Sequence, residues 1–307
     1  MVLLTVPSGR SVRGGSVLPV GIGGAESNVA IGLARLEVPV TWISRVGDDA
    51  FGSLVTREIR AEGVRVLAAV DVGAPTGLMV KEQSQGTPRR VRYDRHGSAA
   101  SRLTLADLGA AAITDARVLH LTGITAALSA TALDTVRAAV AIARSAGTLV
   151  SFDVNYRSAL WPPGRAATVL AELCRSADLV FAGIDEAALV LGDTTPGDPE
   201  ALGKALRTLG ARTVVIKLGA AGALAVTDDE TVNAPTDAVD VVDPVGAGDA
   251  FVAGYLSALV EGLSVTDCLR RGNQIGGAVC QVPGDWEGLP TRDELRHLDP
   301  APPEVVR

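Results

Sequence analysis

From about residue 100 onward, short β-branched apolar runs alternate with Ala-rich stretches of helical character. RVLHLTG (117–123) predicts a strand, and ATALDTVRAAVAIARSAG (130–147) predicts a helix with Gly147 as its stop. TLVSFDVN (148–155) predicts the next strand, followed by a helix near 165–175 and a strand at ADLVFAG (177–183). ALGKALRTLG (201–210) reads as a helix stopped by Gly210, RTVVIKLG (212–219) as a strand, and 247–261 and 265–280 as helices. Residues 27–62 repeat the rhythm: SNVAIGLARL helical, VTWISRVG extended, FGSLVTREIRAEG helical. Strands that are near-continuous Val, Leu and Ile are buried on both faces, which predicts a parallel sheet covered by helices on each side.

Two regions break that rhythm. Residues 9–22 and 73–97 hold short extended pieces punctuated by Gly and Pro, such as TGLMVKE and PRRVRYDR. Their alternation predicts antiparallel strands standing apart from the main sheet, as a small β lid on an α/β core of residues 23–72 and 98–307. The opening MVLLTVPSGR reads as the second half of a buried strand. It is too short for a signal peptide and lacks a basic region before it.

Composition narrows the function. The net charge of −7 argues against nucleic acid as main partner, because a phosphate backbone needs a basic face. Aromatic residues at 3% also leave few platforms for stacking bases. A small anionic substrate remains compatible, since it needs only one or two local cations. Cys174, Cys268 and Cys280 form no C-x-x-C pair and support neither a disulfide framework nor a zinc site, which fits a reducing cytoplasm. No apolar run is long enough to span a membrane. His96, His120 and His297 lack metal-ligand spacing and read as structural.

The chemistry concentrates in VVDPVGAGDAFVAGYL (241–256), a strand, a Gly-rich turn and a helix. Gly246, Ala247 and Gly248 carry little or no side chain, so their N–H groups can converge at a helix N-terminus and receive an anion. Asp249 follows in the first helical turn. Position alone allows it two roles. It can cap the helix, or it can take a proton from a hydroxyl that attacks a phosphorus held in the cradle, remaining ionised beside the positive end of the helix dipole. A dinucleotide loop of the form G-x-G-x-x-G is disfavoured, because Phe251 fills the third glycine position and the segment comes late in the chain. No G-x-x-x-x-G-K-[ST] loop occurs.

DPVGAGDAF resembles the C-terminal signature of the PfkB, or ribokinase-like, carbohydrate kinases, and GGAESNVAIGLARL (23–36) with VGDDAFG (46–52) resembles their N-terminal one. RYDRHGSAASRLT, LHLTGITAALS, SFDVNYRSALW, KLGAAGA and PGDWEGLP extend the resemblance over nearly the whole chain, and look like the 2-keto-3-deoxygluconate kinase subgroup. The resemblance implies a three-layer α/β/α sandwich with a mostly parallel central sheet and a β-sheet lid. It implies ATP and Mg²⁺ as cofactors and a sugar or sugar acid as substrate, in a homodimer or higher homo-oligomer.

Carried over by position, the resemblance makes Asp249 the catalytic base and Gly246, Ala247 and Gly248 the anion hole. Lys217, Gly219, Gly222 and Asn155 fall on the nucleotide side. Glu186 matches an acid that organises Mg²⁺ through water, with Gly183 standing where the family motif has Asn. Gly24, Asn28, Tyr93, Arg95 and Asp285 fall on the substrate side, and Arg157 lies between substrate and transferring phosphate. Where the subgroup has two tyrosines this chain has Tyr93 and Asp94; alternation along a strand turns Asp94 to the opposite face. Set against the family, Met1 corresponds to a residue inside the first strand. The reading is a kinase making the 6-phosphate of 2-keto-3-deoxygluconate. The alternatives are a fructokinase- or ribokinase-type enzyme, or a degenerate sugar-binding protein with little turnover.

Overall fold

The computed structural model describes residues 1–7, 12–82, 90–193 and 197–298. Parts of the expected lid (9–11 and 83–89) and of the expected core (194–196 and 299–307) lie outside them. The strands in chain order are β1 (Val2–Val6), β2 (Val20–Ile22), β3 (Thr41–Gly47), β4 (Arg65–Asp71), β5 (Leu78–Glu82) and β6 (Arg90–Asp94). They continue with β7 (Val118–Thr122), β8 (Leu149–Asp153), β9 (Leu179–Gly183), β10 (Thr213–Lys217), β11 (Ala223–Val226) and β12 (Thr231–Ala234).

The largest sheet has the order β12-β11-β10-β9-β8-β7, with β7 to β10 parallel and β11 and β12 antiparallel at one side. Its two faces carry separate apolar clusters, as period-two alternation requires. Val180, Ala182, Val214 and Ile216 pack with helices Ala130–Ala146 and Pro163–Ser176 on one side. Phe181 and Val215 pack with helices Ala25–Arg35, Ala247–Glu261 and Val265–Cys280 on the other. This is a three-layer α/β/α sandwich with a mostly parallel sheet. Asp228 and Asp229 turn the β11–β12 hairpin. No helix among the described residues is long and apolar enough to cross a membrane.

A separate four-stranded sheet has the order β2-β1-β5-β6. Val2–Val6, a strand with Val2, Leu3 and Val6 buried, lies ahead of the expected lid residues yet belongs to this small sheet, pairing antiparallel with β2 and parallel with β5. β3 and β4 form a parallel pair of their own.

Between that pair and β7 lies a cavity of about 1100 Å³. Among the described residues β3 pairs only with β4 and β7 only with β8, so both present an open edge, and Trp42, Ser44 and His120 from those edges line the cavity. Val29 and Leu33 line it from the helix layer on one face, Val136 and Ala139 from the other. The space between the two open edges, walled largely by apolar side chains, has room for one more strand, and the His120 Nε2 has no hydrogen-bond partner. Joining an apolar segment of about six residues ahead of Met1, which lines the cavity, is expected to raise Tm by several degrees. The same segment with a central Pro should raise it less, since Pro removes a ladder donor; equal Tm values for both fusions and the unmodified chain, read by calorimetry, would refute the fit.

Candidate active site

Helix Ala247–Glu261 carries the site, and its placement follows from packing. Phe251 is buried and lies 6.3 Å from the Phe181 ring, with Tyr255 at 5.2 Å from the same ring. The third position of the dinucleotide pattern is thus filled by a core anchor that ties the helix to the sheet. Gly272 and Gly276 on helix Val265–Cys280 leave room for Phe251, so the two helices approach closely.

At the helix N-terminus Gly246 has φ +84°, a left-handed conformation that favours glycine. A Cβ there would collide with the Asp285 carbonyl oxygen. Gly246, Ala247 and Gly248 therefore form a bare N-terminal turn whose N–H groups and helix dipole suit an anion.

Asp249 sits half-buried in that turn and accepts a hydrogen bond from Asn28 Nδ2 at 2.8 Å. Burial pushes its carboxyl pKa up to about 6, against the downward pull of the Asn28 hydrogen bond; Asp153 adds to the rise, while Lys217 and Arg157 oppose it. The helix dipole was expected to favour the ionised form, but removal from water dominates. A carboxylate held near 6 is mostly ionised at neutral pH and basic enough to take a proton. The Asn28 bond joins the two sequence signatures across 221 residues, and leaves Asn28 Oδ1 buried without a partner, an acceptor able to receive a hydroxyl.

Beneath the cradle runs a polar chain. Lys217 Nζ donates to both Asp153 oxygens at 2.9 and 2.8 Å, and a Cβ on Gly248 would lie 3.7 Å from that ammonium. Asn155, in the left-handed region at φ +41°, donates to Asp153 at 2.9 Å and accepts from Arg157 at 2.7 Å. Arg157 comes within 3.9 Å of Glu186. Glu186 accepts from the backbone N–H of Tyr156 at 2.9 Å and of Gly183 at 2.8 Å, so backbone rather than an Asn side chain orients it. Glu186 and Lys217 line one cavity of about 540 Å³. Gly219 and Gly222 bound the short turn after β10, at the carboxyl end of that strand where ligands of α/β sheets gather.

Among the described residues no group of three or more His, Cys, Asp or Glu side chains could hold a metal ion. The donors present thus do not make a protein cage. Mg²⁺ keeps waters and phosphate oxygens as ligands and needs few from protein, and Glu186 is the acid expected to serve it that lines the smaller cavity.

On the substrate side, Arg95 stacks on Tyr93, its guanidinium carbon 4.3 Å from the ring centroid. Arg95 is buried, and its Nε has no partner. Tyr93 and Arg95 lie two residues apart on one face, and Asp94 lies between them, exposed. Gly24 and Arg95 both line the large cavity. Asp285 is buried; desolvation raises its carboxyl pKa, opposed by Lys81.

Sequence reasoning passed over Lys81, Asp153 and Asp243. Asp153 ends β8, and a polar residue at the carboxyl end of a parallel strand is a signal that SFDVN carried. Lys81 follows the buried Met79 by two residues, so period two alone turns it inward. Asp243 stands in the quoted DPVGAGDAF signature without an assigned role.

Residues 10–292 match the pfkB family carbohydrate kinases. The chain is 41% identical over 285 residues to a 2-dehydro-3-deoxygluconokinase of Bacillus subtilis (strain 168), covering 91% of this chain and 87% of that one. It is 33% identical over 300 residues to a 2-dehydro-3-deoxygalactonokinase of Haloferax volcanii, covering 97% and 93%. A solved PfkB protein from Polaromonas sp. JS666 superposes with a TM-score of 0.86 at 38% identity, covering 96% of each chain. A helix-borne carboxylate beside a side-chain-free turn, on this sandwich and with these relatives, has one family meaning: the chain belongs to the pfkB family of carbohydrate kinases.

Proposed function

We propose that this ATP-dependent sugar kinase phosphorylates the terminal hydroxyl of a keto-deoxy sugar acid, with 2-keto-3-deoxygluconate as substrate and its 6-phosphate as product. The observation that carries the sugar-acid reading is Arg95, a buried guanidinium stacked on Tyr93 whose Nε has no hydrogen-bond partner. A buried N–H donor without a partner is costly, and a substrate carboxylate offsets that cost with a charge-assisted bond. A neutral sugar does not. The names of the Bacillus and Haloferax relatives support the same substrate class.

In this reading ATP supplies the transferable phosphoryl group and Mg²⁺ screens its charge. Asp249 takes the proton of the substrate hydroxyl as that oxygen attacks phosphorus, and the bridging oxygen leaves with ADP. Asn28 Oδ1 and Asp285 orient the sugar. The N–H groups of 246–248, with Arg157, stabilise the charge that moves. Lys217 and Asn155 hold Asp153 beneath the cradle, and Glu186 faces the nucleotide cavity.

The test is ADP release with 2-keto-3-deoxygluconate, 2-keto-3-deoxygalactonate, fructose and ribose. The sugar acids should give the highest kcat/KM; a preference for fructose or ribose, or tight sugar binding without ADP release, overturns the reading. Arg95→Met should raise KM for the preferred sugar acid by roughly 10–100-fold, the worth of a hydrogen bond to a charged group, and leave any activity on fructose nearly unchanged.

A further inference from the structure

Lys81 lies on β5 of the small sheet and is only 2% exposed. Its ammonium sits 2.7 Å from Asp243 Oδ2 and 3.0 Å from Asp285 Oδ1, and those side chains are 0% and 7% exposed. One cation thus serves two carboxylates from distant parts of the chain. Asp243 opens the Gly-rich turn: its Oδ1 accepts from the Val245 N–H at 3.1 Å, and its Oδ2 faces the Gly284 N–H at 3.4 Å. Asp285 touches the same turn from the other side, because its carbonyl oxygen occupies the place a Cβ on Gly246 would take. The Asp285 Oδ2 points toward Gly23, beside Gly24. Three segments therefore meet at one ammonium: the small sheet, the anion-receiving turn and the loop carrying Asp285.

We propose that Lys81 is a positioning residue that locks the small sheet to the phosphate cradle and to Asp285, so that substrate orientation and cradle geometry are set together. This rests on the proposed kinase reading and goes beyond it, since Lys81 itself touches neither reactant. With the ammonium in place, Asp243 is held to shape residues 244–246 and Asp285 presents its second oxygen to the sugar side. Without it, two buried carboxylates lose the ammonium between them, repel, and release both loops.

The test compares wild type, Lys81→Met and Lys81→Arg by amide hydrogen exchange and by steady-state kinetics. In Lys81→Met, exchange at Val245 and at residues 284–286, whose N–H groups are bonded in this structure, should rise about tenfold or more, as expected for the loss of charge-assisted bonds, while helix Ala130–Ala146 keeps its protection. Its kcat should fall and its sugar KM should rise, with the ATP KM unchanged, and Lys81→Arg should recover part of both effects. Wild-type exchange at the two loops, or an equal rise across every segment including that helix, overturns the proposal. If Lys81→Met does not fold, Lys81→Met/Asp243→Asn removes the repulsion; wild-type kcat and loop protection in that double variant overturn it equally. The exchange measurement needs no substrate, so a wild-type protein inactive on every sugar would defeat the kinase substrate reading and leave the Lys81 lock decided by its own data.

Discussion

Asp249→Asn is expected to lower kcat by roughly 10²–10⁴-fold, the usual worth of a positioned general base, with ATP affinity largely unchanged. The substitution keeps the shape of the side chain and its place beside Asn28, so the fold and the cradle persist. On the proposed mechanism, what disappears is the acceptor for the hydroxyl proton. In the wild-type enzyme that acceptor works only when ionised, and burial has raised its pKa from 3.8 to about 6. Activity should therefore be present above pH 6 and fall as the pH drops through that value. Asn28→Ala supplies an independent check. The Asn28 hydrogen bond pulls the Asp249 pKa down, so its loss should move the acid limb of the kcat/KM profile to higher pH. Near-normal turnover by Asp249→Asn would remove this residue from the role, as would an acid limb that ignores Asn28.

Gly246→Ala should lower kcat by about 10²–10³-fold, comparable to losing one preorganised donor from an anion hole. A left-handed residue with a Cβ costs about 1–2 kcal/mol on conformation alone. Here the Cβ must also displace the Asp285 carbonyl, so the turn and the sugar-side loop shift together. Gly262 is the control. It follows the same helix at φ +80°, and a Cβ there meets no atom within 4 Å. Gly262→Ala should lose stability on conformation alone and keep kcat. Similar kcat losses in both variants would show that helix stability, and not the cradle, is being read.

The candidate site divides by how its residues are connected. Gly246, Ala247, Gly248 and Asp249 are contiguous, and a strand–turn–helix segment places them by local backbone geometry, so the chain order reveals them. Tyr93 and Arg95 are likewise legible, two residues apart at the end of one strand and stacked on each other. Lys81, Asp153 and Asp243 are different. Each has its partner 64 to 204 residues away where a distance links it to Lys217 or Asp285, and only the folded sheets make those partners neighbours. The Asp249 pKa belongs with them. The dipole argument uses only its own helix, whereas the larger effect, desolvation, comes from everything packed around it.

Helix and strand order and the parallel sandwich were readable from apolar period, because a strand buried on both faces has few polar options, while the kinase signatures were readable as a resemblance to a known family. The start of the chain was legible as a buried strand but its partners were not: VLLTV is equally apolar in either sheet, and its pairing with β2 and β5 exists only in the folded molecule. The same holds for the Lys81 ion triad: composition supplies the charges, but the distance between them, on which Coulomb energy depends, exists only after the small sheet has closed on the cradle.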